Sequence, residues 1–127
     1  MLDLKWLLIL GIFLYMNITV CAQDRISNLQ QQLNELSQST AGLNDEVETA
    51  VSNTSLYEFL KGLAVSYKLN LNIDPSINEK ITTYFSHQTV KSVLLYLARQ
   101  YDLDFVFTGS IIYITPYKDP SLNLPRP

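Results

Sequence analysis

His87 is the single histidine and Cys21 the single cysteine among 127 residues. Histidine-based nucleophilic catalysis needs a nucleophile beside the ring and an orienting group behind it. A metal site needs three or four converging N, S or O donors. Neither partner set accompanies His87 in the sequence, where it stands in Phe85-Ser86-His87-Gln88-Thr89. A polar residue just ahead of a helix cap is the reading it supports. Asp102 and Asp104 flank the start of a strand pattern and could form an acid–base pair. No other group converges on them by sequence, and a solvated loop is the alternative. The four glycines do not fall in a phosphate-cradling spacing. Asn53-Thr54-Ser55 matches a glycosylation acceptor, although Ser55 is also placed to cap a helix. The expectation is a chain that is not an enzyme, holds no cofactor and takes no small-molecule substrate.

What remains is recognition by surface. There are eight tyrosines. Tyr67 and Tyr101 fall on the apolar faces of helical patterns. Tyr57, Tyr84, Tyr96 and Tyr113 are the candidate partner contacts: facing outward, they offer apolar area with a polar tip. Scattered core and surface positions are the competing reading. The formal charge is −3, which gives no pull toward phosphate backbones, so nucleic acid is not an expected partner.

The elements that would position these residues begin after an export signal. Lys5 precedes an apolar run, Trp6 to Met16, too short to cross a bilayer as a helix. Val20-Cys21-Ala22 then supplies small or short residues at the positions a signal peptidase reads. Residues 1–22 are expected to be a signal peptide cut between Ala22 and Gln23; an uncleaved anchor and lipid on Cys21 are the alternatives. The protein is then exported and, once cleaved, without cysteine. Residues 23–45 read as an amphipathic helix over 24–38, with Ile26, Leu29, Leu33 and Leu36 on one face, and a polar linker over 37–45. The helix either lies on the domain or pairs with a neighbouring subunit.

From Glu46 the patterns sharpen. Val47, Thr49 and Val51 alternate as a strand. Ser55-Leu56-Tyr57-Glu58 has the form of a capping box opening a helix with Leu56, Phe59, Leu60, Leu63, Ala64 and Tyr67 on its apolar face. Leu69, Leu71 and Ile73 alternate as a strand that Asp74-Pro75 stops. Lys80 to Phe85 is a third strand. Thr89 caps a second helix with Val90, Val93, Leu94, Leu97, Ala98 and Tyr101 on its face. Leu103–Phe107 and Ile111–Thr115 are strands joined across Thr108-Gly109-Ser110. The tail from Pro116, over 118–127, is Pro-rich and reads as a linker.

The chain also repeats. The shift that carries Leu60 onto Leu94 also lays Leu63, Ala64, Tyr67 and Leu69 on the identical Leu97, Ala98, Tyr101 and Leu103. Val51-Ser52-Asn53 falls on Phe85-Ser86-His87. A helical tetratricopeptide repeat has the same period, but Leu-Asn-Leu-Asn-Ile-Asp-Pro occupies the place of its second helix. The expected fold is α+β: a duplicated βαβ unit, order βαββαββ, with two helices packed on small mixed sheets.

These features together resemble the secretin and TonB N-terminus short domain. The resemblance spans Val47 to Tyr117, within a domain expected over 46–117. It is carried by the two strand–cap–helix–strand copies with Leu-Leu-Ala on each helix, by Leu69-Asn-Leu-Asn-Ile-Asp-Pro75, and by the closing hairpin Thr108-Gly109-Ser110-Ile111-Ile112. It implies a periplasmic, non-catalytic, protein-binding domain. In secretins such a domain fronts a ring-forming outer-membrane channel of type II secretion or type IV pilus machines and contacts inner-membrane components. In TonB-dependent receptors it signals to an anti-sigma regulator. The resemblance thus implies envelope proteins as partners, and a ring homo-oligomer where the domain is part of a secretin.

Intact mass of the protein from the envelope fraction tests the export reading. The expected species begins at Gln23. Retention of Met1 to Ala22, or lipid on Cys21, overturns it.

Overall fold

The computed structural model describes residues 20–118, with side chains described from residue 25. The apolar run Trp6 to Met16 and the tail from Asp119 lie outside the described residues. Ala22 and Gln23 fall within helix α1, Val20–Ser37, by backbone only. No helix among the described residues is long and apolar enough to cross a membrane.

After α1 and a single 3₁₀ turn, Ala41–Asn44, come β1 (Glu46–Ser55), α2 (Leu56–Tyr67), β2 (Asn70–Ile73), β3 (Lys80–Thr89), α3 (Val90–Gln100), β4 (Leu103–Thr108) and β5 (Ile111–Pro116). The order from β1 is βαββαββ, and the fold is α+β. β1 and β3 form an antiparallel two-stranded sheet; β2, β5 and β4 form a three-stranded mixed sheet in that order. β2 runs parallel to β5, and β4 antiparallel to it.

The repeat is written into the backbone as a pseudo-two-fold. Glu46 pairs with Thr89. The repeat replaces Glu46 by Lys80 and Thr89 by Ser55, and these two also pair. Two register shifts interrupt the ladder. One puts Ser52 and Asn53 opposite Thr82; the other puts Ser86 and His87 opposite Glu48, so that the repeat carries each shift onto the other. Left-handed backbone follows the same rule: Asn53 (φ 47°) matches His87 (φ 56°), and Lys68 (φ 57°) matches Asp102 (φ 50°).

These bulges correct the expected ends of two strands. β1 and β3 do not stop at Val51 and Phe85. Each takes up an extra residue in left-handed conformation and continues to the helix. His87 is therefore a bulge residue within β3, two residues ahead of the Thr89 cap.

The caps diverge. Thr89 Oγ1 accepts from Ser92 N–H at 3.3 Å and closes the first turn of α3. Ser55 occupies the equivalent position, but its side chain makes no cap hydrogen bond, so the expected capping box does not form. Both helices instead share a backbone device: Leu56 N–H donates to Glu79 C=O at 2.8 Å, and Val90 N–H to Asp45 C=O at 2.9 Å.

A single core joins all these elements. Leu60, Leu94, Leu97 and Ala98 are fully buried, and Leu63 is nearly so. The helix before the domain contributes to that core, since Leu29 and Leu33 of α1 are buried in the same cluster. α1 thus lies on the domain. The polar stretch 37–45 is not a free linker. Leu43 has no exposed surface, and Gly42 backs so closely onto Tyr67 that a Cβ there would sit 1.9 Å from its carbonyl oxygen. One Leu beside a Gly that permits this approach is too short a signal for periodicity to register.

The cap difference gives a direct test. Thr89→Ala should cost about 1 kcal/mol of unfolding free energy, the usual worth of a hydroxyl cap. Ser55→Ala should cost less than ~0.5 kcal/mol, as for a surface change. Equal losses in urea denaturation would contradict the two geometries.

Candidate functional site

The residues singled out for chemistry do not come together. His87 Nδ1 lies 3.8 Å from Glu46 Oε2, both side chains being largely in solvent. Asp102 sits in the turn after α3, 3.9 Å from Arg25. Arg25 also donates to Leu103 C=O at 2.7 Å and stacks 4.0 Å from the Tyr117 ring centre. It is thereby a clasp holding α1 to the start of β4. Asp104 lies in β4 opposite Thr115. Among the described residues no three His, Cys, Asp or Glu side chains are grouped as metal ligands. Ser76 holds the Asp74 carboxyl below its ordinary pKa, chiefly through its backbone N–H, 2.9 Å from Oδ1, and then through its hydroxyl. Burial pushes the Tyr101 phenol up, with Tyr96 and Glu79 adding to the shift.

The tyrosines divide. Tyr84, Tyr96 and Tyr113 are exposed, as expected, at 63%, 42% and 36%. Tyr57 is only half-exposed and stands apart with Lys61 Nζ 6.0 Å from its ring centre. Tyr84 and Tyr96 share one groove between β3 and α3. Tyr96 meets Phe85 edge-on at 5.7 Å, and Phe85 stacks on Phe59 of α2 at 5.8 Å. Tyr113 is elsewhere, on the outer face of the three-stranded sheet, where it pairs across to Val106 with Ile111 two residues before it. Val106 and Ile111 are exposed as well, at 51% and 38%.

The pseudo-two-fold carries the Tyr84–Tyr96 groove onto a second one, between β1 and α2. Every residue lining the first has a repeat counterpart that lines the second. The lining changes in a consistent direction. Ala50 stands where the other half has Tyr84, and Gly62 where it has Tyr96. Glu58 stands for Ser92. The β1 groove is correspondingly roomier, about 450 Å³ against about 300 Å³. Ala50 and Gly62 drew no notice in the sequence, because a small residue is silent in a hydrophobicity pattern. The signal was nonetheless there: laying the two copies side by side pairs each with a tyrosine.

Scanned against known families, the chain matches no family model, and it matches no curated protein.

Gly62 gives the site its test. It lies mid-helix, and an added Cβ would meet nothing within 4 Å. Packing does not require glycine there. Gly62→Ala should therefore raise unfolding free energy by ~0.5–1 kcal/mol, the helical cost of glycine. A fall in stability on chemical denaturation would show a packing role.

Proposed function

We propose that this chain supplies a non-catalytic protein-binding domain of the bacterial envelope, of the secretin front-end kind, acting in protein secretion or pilus assembly. The observation that carries the reading is the exposed aromatic and strand-edge surface of a duplicated βα frame. Tyr84 lies in β3 and Tyr96 beside it, and among the described residues β3, paired with β1 alone, keeps one unpaired edge. Apolar rings with a hydroxyl at a free strand edge suit protein contact, since the ring gains area and the edge offers main-chain hydrogen bonds. The α+β order βαββαββ, two helices against small sheets, agrees with what the resemblance implies. α1 packed on the domain favours a secretin-like front end over a receptor, because that reading gives the leading helix a place. A domain of this kind gains its avidity from being displayed in many copies, so each contact can be weak.

The test is cross-linked capture from envelope extract, with captured proteins identified by mass spectrometry. The expected catch is an inner-membrane component of a secretion or pilus machine, lost with Tyr84→Ala and Tyr113→Ala while the circular dichroism spectrum is retained. Capture of an anti-sigma regulator would place the domain in a TonB-dependent receptor instead. Capture indifferent to both tyrosines overturns the proposed surface, and turnover of a generic ester, phosphate or glycoside overturns the non-enzymatic reading.

A further inference from the structure

The groove between β1 and α2 has three features that the fold does not need. The first is its shape. Five consecutive β1 residues, Val47 to Val51, line it. Since alternate residues of a strand point to opposite faces, a hollow touching all five runs along the strand's edge. That edge is the one not paired with β3. Tyr67 Oη closes one end by donating to Glu46 C=O at 3.4 Å.

The second feature is its emptiness. Gly62 and Ala50 hold open a space that Tyr84 and Tyr96 narrow in the other half. The equivalent positions share one backbone frame, so geometry does not impose small residues here. Glycine within a helix carries a stability cost, and no neighbour comes within 4 Å of where its side chain would be. No contact among the described residues calls for glycine there.

The third feature is charge. Glu48 and Glu58 line the groove, and neither forms an ion pair among the described residues. Their counterparts, Thr82 and Ser92, are neutral. Unpaired carboxylates beside an open strand edge select a cationic partner and steer its approach.

We propose that the β1–α2 groove takes an extended peptide segment carrying lysine or arginine, added as a third strand on the free edge of β1. The main chain of the segment would complete the ladder of β1. Its alternate side chains would enter the space over Ala50 and Gly62, and its cations would meet Glu48 and Glu58. The inference rests on the reading that the domain binds proteins, but it assigns a different surface from the tyrosine side and states the chemistry of the ligand.

The experiment selects displayed random twelve-residue peptides on the purified full-length chain. Enriched peptides should alternate apolar residues with Lys or Arg. Their binding should weaken about tenfold or more in Ala50→Tyr/Gly62→Tyr, which installs the residues of the other half to block the groove. It should weaken ~2–5-fold in each of Glu48→Gln and Glu58→Gln, as for exposed ion pairs. Should the double tyrosine variant fail to fold, amide shift mapping on the unaltered chain decides, with changes expected at Val47 to Val51 and at Gly62. Absence of enrichment, or enriched peptides that are acidic, overturns the inference. So does a homodimer of the unaltered chain that dissociates in the double variant, because the occupant is then a second copy. Peptides that bind at Tyr84 or Tyr113 and ignore the groove variants also overturn it, while leaving the protein-binding reading standing.

Discussion

Each of the two domain helices begins on a hydrogen bond that belongs to the other half of the molecule. Leu56 N–H is received by Glu79, just ahead of β3, and Val90 N–H by Asp45, just ahead of β1. The first N–H groups of a helix have no partner within it. Here the antiparallel pairing of β1 with β3 brings each strand's entrance alongside the other strand's exit, so the acceptor is in place when the helix starts. Neither half can build this arrangement alone. The bulges at Asn53 and His87 follow from the same constraint, because a long antiparallel pair must twist and re-aim before each strand hands over to a helix.

Two elements break the symmetry, and they decide which surfaces remain available. β5 inserts between β2 and β4 and has no counterpart in the first half. α1 lies against α3 and buries Leu29 and Leu33 there, with Arg25 clasping it to the start of β4. Among the described residues α2 has no such cover, and Val65 on it is 76% exposed. The duplicated frame therefore presents two related grooves in different settings: one narrowed by aromatic residues, the other open, acidic and next to an uncovered helix. A stable core built from two equivalent faces leaves such outward positions free to differ, since they contribute little to packing.

The sequence by itself determined the element order, because the identical Leu, Leu, Ala and Tyr positions of the two copies serve two equivalent buried helix faces. It determined which helix faces are core, since those follow from periodicity; of the four tyrosines it offered as outward contacts, Tyr84, Tyr96 and Tyr113 are exposed and Tyr57 is only half so. Tertiary structure decided what local pattern cannot carry. Leu43 joined the core through a contact at Gly42 that exists only once α2 ends beside it. His87 became a bulge through its pairing opposite Glu48. Each of these depends on partners remote in sequence, and hydrogen bonds and close approaches between such partners are set by the fold, not by neighbouring residues.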